Sequence, residues 1–125
     1  MKKALVLVAL VLGFGACVGS SDDACTADDA CECNGMGSCT KTCEGGGCDM
    51  TCAGQGSCNF ECPDGKCQVT AKGQGATTLS CPGNGCTLVC EGQGSCEISA
   101  CTKDCHITCK GQGSCTNQCH DASCS

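Results

Sequence analysis

The sequence contains no tryptophan and no tyrosine, and its only aromatic residues are Phe14 and Phe60. Large aliphatic residues are also scarce beyond residue 17, where they are Val18, Val69, Leu79, Leu88, Val89, Ile98 and Ile107. A fully buried side chain of this kind contributes about 2 kcal/mol. So few of them cannot offset the conformational entropy that about a hundred residues lose on folding. A conventional hydrophobic core is therefore excluded as the main source of stability.

Cysteine and glycine are abundant instead, with 21 and 19 residues in a chain of 125. This composition is typical of a disulfide scaffold. Bridges that close loops of about six residues would each remove about 2 kcal/mol of unfolded-state entropy. Because such bridges persist only in oxidising compartments, the cysteine content predicts an exported protein.

The N-terminus has the pattern of a signal peptide. Two lysines at positions 2 and 3 precede an apolar run over residues 4–12, which is too short to span a bilayer of about 30 Å. The next segment, Phe14-Gly15-Ala16-Cys17, resembles the lipobox of bacterial lipoproteins. The resemblance implies that residues 1–16 are removed and that Cys17 becomes the lipidated first residue, carrying acyl chains such as palmitate. Ordinary signal-peptide cleavage after Ala16 is the alternative.

The number of cysteines supports lipidation of Cys17, and the residue after it indicates the destination membrane. Removal of Cys17 from the disulfide pool leaves twenty cysteines, an even number. Val18 follows it in place of the Asp that retains enteric lipoproteins at the inner membrane, so the resemblance implies the outer membrane. We expect residues 17–24 to hold the lipidated Cys17 and a flexible tether, and residues 25–125 to form a repeat domain.

The charge of the chain limits its partners. The net charge is −6, and loss of Lys2 and Lys3 leaves five lysines against 13 acidic residues, or −8. Nucleic acid and anionic lipid headgroups are therefore poor candidate partners, and we expect the membrane to be reached through the lipid anchor and no nucleic acid to be bound. The sequence leaves the protein or glycan partner unidentified.

A 19-residue repeat organises the rest of the chain. Near copies of Cys-x-Gly-Gln-Gly-Ser-Cys begin at Cys33, Cys52, Ala71, Cys90 and Cys109. Each repeat holds two five-residue segments in which cysteine or apolar residues alternate with polar ones, which is typical of half-buried strands. Two strands per repeat, separated by glycine-rich turns, predict an all-β fold: a two-sided β-solenoid of about five coils.

The solenoid register places apolar residues in two interior ladders. One contains Phe60, Leu79 and Ile98, with the polar Lys41 and Asn117 at its ends; the other contains Met50, Val69, Leu88 and Ile107. An antiparallel β-meander with disulfide-closed hairpin loops is the alternative fold, although it exposes the cysteine face of a single sheet. An extra residue at Ala100-Cys101 predicts a local bulge.

The third repeat indicates how the cysteines pair. Ala71 and Thr77 replace both cysteines that flank one Gly-Gln-Gly loop, while Cys67 and Cys81 remain. Pairing across each turn is the scheme that leaves no cysteine unpaired. It joins Cys25 with Cys31, Cys33 with Cys39, Cys43 with Cys48, Cys52 with Cys58, Cys62 with Cys67, Cys81 with Cys86, Cys90 with Cys96, Cys101 with Cys105, Cys109 with Cys115 and Cys119 with Cys124.

No cofactor or metal is expected. The segment Gly92–Ile98 resembles the calcium-binding nonapeptide of RTX proteins, but cysteine stands where that motif has its Asp ligand, at Cys58, Cys96 and Cys115. A metallothionein-like cluster requires free thiolates in a reducing compartment, which the signal peptide contradicts. We interpret the glycines of the Gly-x-Gly motifs as residues with positive φ in the turns.

No catalytic grouping is recognisable. His106 and His120 have no nucleophile or carboxylate at a spacing typical of a triad or zinc site, so we expect two solvated surface histidines and no enzyme. The chain also lacks a Cys-x-x-Cys redox pair. We therefore expect a lipid-anchored envelope protein with a structural or adhesive surface role.

The alternative function is a binding module for a glycan, ice or another small ligand. Its surface would comprise an outward row of Thr51, Thr70 and Thr108, with Val89 between the last two, and an edge of Gln55, Gln74, Gln93 and Gln112 that could form an amide ladder. A second outward row contains Thr40, Asn59, Thr78, Glu97 and Thr116. Threonine rows on a disulfide-stapled solenoid resemble beetle antifreeze proteins, although the paired Thr-x-Thr ranks of that family are lacking.

Overall fold

Alternation of inward cysteine or apolar residues with outward polar residues produces eleven short strands within residues 24–125, which the computed structural model describes. The strands are β1 (Ala24–Cys25), β2 (Ala30–Cys33), β3 (Cys39–Cys43), β4 (Asp49–Cys52), β5 (Cys58–Glu61), β6 (Gln68–Ala71), β7 (Thr77–Ser80), β8 (Thr87–Cys90), β9 (Cys96–Ser99), β10 (His106–Cys109) and β11 (Cys115–Asn117).

The predicted signal peptide and the predicted lipidation site at Cys17 lie outside the described residues, and so does all of the predicted tether except its last residue. Ala24, placed in the tether by the sequence analysis, already belongs to β1. No helix within residues 24–125 is long and apolar enough to cross a membrane.

The strands form two parallel sheets. The odd-numbered strands make a six-stranded sheet in chain order, and the even-numbered strands make a five-stranded sheet. Each coil therefore contributes one strand to each sheet and stacks on the coil before it. The two-sided β-solenoid is confirmed, and the antiparallel meander is wrong because every ladder is parallel.

The register follows the 19-residue period. Phe60 pairs with Leu79 and Leu79 with Ile98 in one sheet, as predicted. The facing ladder of Met50, Val69, Leu88 and Ile107 is also in register. Lys41 and Asn117 occupy the ends of the first ladder, beside Phe60 and Ile98 respectively.

Two turns depart from the period. At the first, β1 pairs with β3 at an offset of 18 residues, because the turn from β1 to β2 is one residue shorter than the turn from β3 to β4. At the second, the irregularity predicted at Ala100-Cys101 is present: Ala100 takes a left-handed φ of 59° directly after β9. The following turn is one residue shorter and restores the register.

Cysteine fills most of the interior. Phe60, Met50, Leu79, Leu88, Val69 and Ile98 are fully buried along the centre of the two sheets, and buried cysteines occupy the corners where the sheets meet. Ten disulfides close the turns within residues 24–125, and they are the same ten pairs that the turn-closing scheme predicts. Sulfur thus takes the place that branched aliphatic side chains have in larger domains.

Candidate binding surface

The five-stranded sheet presents an aligned outer row that we call the threonine row: Thr51, Thr70, Val89 and Thr108. Parallel pairing places these four residues side by side on successive strands. Neighbouring strands lie about 4.8 Å apart, so the hydroxyl groups recur at that interval, with one omission at Val89. Thr108 is exposed, and the other three residues are half-buried by their neighbours.

A second row lies beside the threonine row on the same face. It consists of Asp49, Gln68, Thr87 and His106, again in register on successive strands. These residues were missed by the sequence analysis, although they stand two positions before the threonine row on the same strands and period-two alternation would have revealed them. The face is therefore flat and polar, but its second row changes chemistry at every coil.

The glutamine edge borders this face. Gln55, Gln74, Gln93 and Gln112 are all exposed. Each backbone N–H donates to a glycine carbonyl one coil earlier, as from Gln74 to Gly54 at 3.2 Å. Among residues 24–125, however, no hydrogen bond joins one glutamine amide to the next, so the expected amide ladder is wrong. The four side chains are exposed to solvent instead.

Close contact between coils explains the glycines of these loops. A Cβ on Gly73 would lie 2.0 Å from the carbonyl oxygen of Gly54, and one on Gly75 would lie 2.2 Å from that of Gly56. Real Cβ atoms do not approach backbone this closely, so only glycine fits. The expectation of positive φ is wrong at these positions. Left-handed backbone instead occurs in the opposite turns, for example at Gly65 and Gly85.

The opposite face carries the second predicted row. Thr40, Asn59, Thr78, Glu97 and Thr116 align on successive strands of the six-stranded sheet. Strand β3 also carries Thr42 beside Thr40, so one Thr-x-Thr rank does exist. The next strand replaces it with Asn59 and Glu61. The strands of this face carry two carboxylates, Glu61 and Glu97, as those of the other face carry Glu32 and Asp49, and this face does not repeat a threonine pair.

The two histidines lie at the surface. His106 shares a hydrogen bond of 2.7 Å between its Nδ1 and the Ser125 hydroxyl, and both side chains are exposed. His120 is exposed in the last turn. Within the described part of the chain, no carboxylate accepts a hydrogen bond from either ring.

Sulfur atoms come close together along the shorter turns. Cys62, Cys67 and Cys86 have their Sγ atoms within 4.8 Å of one another, and three similar groups occur along the solenoid. Each of these sulfurs is part of a disulfide. A metal would bind thiolates, and these groups offer none while the bridges are intact.

The C-terminal turn is ordered by a short hydrogen-bond chain. The Asp104 N–H donates to the Ser123 hydroxyl at 2.8 Å, and that hydroxyl donates to the Asp121 carboxylate at 2.7 Å. The Ser123 N–H also donates to Asp121, at 2.9 Å. These backbone and hydroxyl bonds from Ser123 lower the pKa of Asp121 below its usual value.

Comparisons with known proteins give no relative for this solenoid: the chain matches no protein-family model, no curated protein and no solved structure.

Proposed function

We propose that the protein is exported, is anchored to the cell envelope through lipid on Cys17, and has a non-catalytic structural or adhesive role at the surface. The observation that carries the proposal is the presence of a disulfide at all but one of the turns between successive strands. Bridges in this number persist only in an oxidising compartment. The lipobox-like segment ending at Cys17 supplies the anchor, and its Val18 favours the outer membrane.

Rigidity supports a structural or adhesive role. Every coil pairs its backbone with the next through both sheets, and the turns are short and mostly closed by sulfur. Such a chain exposes little backbone that can unfold locally to enter a protease site. The outer faces are polar, so a displayed solenoid of this kind stays soluble above the membrane.

A non-catalytic role agrees with the surroundings of the histidines. His106 pairs with a serine hydroxyl, but both groups are exposed, and no third group orients the ring among the residues described. Nucleophilic catalysis by serine needs a base that is itself oriented and partly shielded from water.

Lipidation of Cys17 is tested by expressing the full chain with Cys17→Ser beside a Ser20→Ala control. We expect the unchanged chain and the control to fractionate with membranes and to carry acyl mass, and the Cys17→Ser variant to lose both. A Cys17→Ser variant that remains acylated and membrane-bound would contradict the anchor. Alkylation without reductant should leave the mature protein unmodified, and several reactive thiols would contradict the compartment.

A binding module is the second candidate, and the alignment of the threonine row favours it. Hydroxyl groups repeated at about 4.8 Å on a rigid face suit a ligand with its own repeat, such as a glycan chain or an ice lattice. The ligand would lie along the threonine row, with the exposed glutamine edge as its border.

The binding candidate is tested by replacing Thr51, Thr70 and Thr108 with valine, which removes the hydroxyls but keeps the β-branched shape that strands favour. The matched control replaces Thr40, Thr78 and Thr116 on the opposite face. Glycan arrays and inhibition of ice recrystallisation are the readouts. Loss of activity in the first variant alone supports this candidate. No activity in the unchanged protein, or equal loss in both variants, refutes it.

A further inference from the structure

The ten disulfides differ in their exposure to solvent. Cys109 is exposed and Cys115 is half-buried. Each of the other nine bridges within residues 24–125 contains at least one buried cysteine. Access is a main determinant of how fast a thiol attacks a disulfide, so one bridge stands apart from the rest.

The neighbouring coil contains a closely matched bridge that is buried. Cys90 and Cys96 close a loop of the same length and nearly the same sequence, yet they are only 3% and 4% exposed. The two bridges differ in position: strands β10 and β11 are the last in their sheets and cover the Cys90–Cys96 bridge.

The outer edge beyond Cys109 is only partly covered. The Ile107 N–H donates to the Ser125 carbonyl at 2.9 Å. Among the described residues, no strand pairs with the outer edge of Thr108 and Cys109. Within the described residues, opening of β10 or β11 disrupts pairing with one neighbouring strand, whereas opening of an inner strand disrupts pairing with two. Lys110 follows Cys109 and is exposed, so a cation stands beside the bridge in an otherwise acidic protein.

We propose that Cys109–Cys115 is a thiol–disulfide exchange site that accepts an external thiol on Cys109. The thiolate of that thiol attacks the Cys109 Sγ, the bond between the two cysteine sulfurs breaks, and Cys115 leaves as a thiolate that takes a proton from water. A mixed disulfide remains on Cys109. The Cys115 thiolate can reverse the step by attacking the mixed disulfide and expelling the external thiol. The site does not depend on the lipid anchor or on the threonine row.

The test maps exchange in the oxidised, mature protein with 2-mercaptoethanol as the probe. After a short exposure the reaction is quenched in acid, free thiols are alkylated, and the protein is unfolded and cleaved at lysine. Cleavage after Lys110 separates Cys109 from Cys115. We expect the mixed disulfide on Cys109 and the alkyl group on Cys115, formed at least about tenfold faster than at Cys90–Cys96. Equal rates at the two bridges, or the mixed disulfide on Cys115, would overturn the proposal.

Variants and a second thiol complete the test. The Cys109→Ser/Cys115→Ser variant should lose the fast phase, whereas Cys90→Ser/Cys96→Ser should keep it. Survival of the fast phase in the first variant would overturn the proposal even if the second variant failed to fold. A parallel arm with a reduced thioredoxin-like protein distinguishes the source of the thiol. Reaction of both probes at Cys109 supports exchange with protein thiols as well as small thiols. Reaction of 2-mercaptoethanol alone supports exchange with small thiols. Reaction of neither probe overturns the proposed exchange site.

Discussion

One loop of the solenoid lacks its bridge, and repairing it tests the stabilising role of the disulfides. Ala71 aligns with Cys52 and Cys90 on the neighbouring strands, and Thr77 aligns in the same way with Cys58 and Cys96. Thr77 is only 1% exposed, and its hydroxyl has no hydrogen-bond partner among the described residues. We predict that Ala71→Cys with Thr77→Cys forms an eleventh bridge and stabilises the protein.

The magnitude follows from two contributions. A bridge that closes a loop of about seven residues stabilises by about 2 kcal/mol in the chain-entropy account. Removal of the buried unpaired hydroxyl adds about 1–3 kcal/mol, so the double variant should gain about 3–5 kcal/mol in free energy of unfolding. The geometry permits the bridge, because the flanking pairs have Cα–Cα distances of 6.1 and 6.5 Å, within the usual range.

The assay is denaturation by guanidinium under non-reducing conditions, followed by circular dichroism because the chain has no tryptophan or tyrosine for fluorescence. Mass spectrometry after alkylation establishes whether the new cysteines are paired. The control is Thr77→Val, which keeps the branched shape, removes the hydroxyl and should gain only the contribution of the hydroxyl, about 1–3 kcal/mol. A paired double variant with unchanged stability, or a destabilised Thr77→Val variant, would refute the reasoning.

Three further predictions concern single turns. Gly56→Ala places a Cβ at 2.0 Å from a carbonyl oxygen of the preceding coil, so denaturation should show a loss of more than about 3 kcal/mol in free energy of unfolding. The control Gly37→Ala, whose Cβ has nothing within 4 Å, should change that free energy by less than about 1 kcal/mol. Equal effects of the two substitutions would refute the stacking argument. The side-chain oxygen of Asn84 accepts three hydrogen bonds from the next coil, and Asn84 itself has a left-handed φ of 71°. Asn84→Ala removes that oxygen, so we expect the free energy of unfolding to fall by about 1–3 kcal/mol. An unchanged free energy of unfolding would show that water replaces these bonds. The lowered pKa of Asp121 implies stabilisation that is present above the ordinary carboxylate pKa and is lost as pH falls through the lower folded value. Ser123→Ala removes the hydroxyl bond but keeps the backbone N–H bond, which is the larger cause, so an NMR titration should give a pKa that rises part of the way toward its ordinary value. An unchanged pKa would contradict the contribution of the hydroxyl.

The spacing of residues along the chain made the fold and the disulfide bridges predictable from the sequence. The 19-residue period sets which residues stack, and period-two alternation sets which of them face inward, so the ladders through Phe60 and Val69 follow from residue numbers alone. Ala71 and Thr77 lack cysteine together, and only pairing across each turn then leaves no cysteine without a partner. This inference needs no knowledge of the fold, because each bridge spans only a few residues of the chain. The threonine row followed from the same register.

The roles of the loop glycines, the glutamine amides and His106 depend on contacts between coils, which the 19-residue period does not describe. The glycines around Gln74 are required by the carbonyl oxygens of the previous coil rather than by positive φ, and the glutamine amides do not join into a ladder. The hydrogen bond between His106 and Ser125 exists because backbone hydrogen bonds with Cys105 and Ile107 place Ser125 beside the edge of β10.

The repeat, the strand pattern and the partners of the cysteines all follow from the order of residues, because each depends on separations along the chain of 19 residues or fewer. Only the tertiary structure decided that the sheets are parallel, that Thr77 buries an unpaired hydroxyl and that Cys109–Cys115 is the accessible bridge. The physical reason is that burial depends on whether another coil lies above a residue, and repeats with nearly the same sequence differ in that respect between the middle of the solenoid and its end.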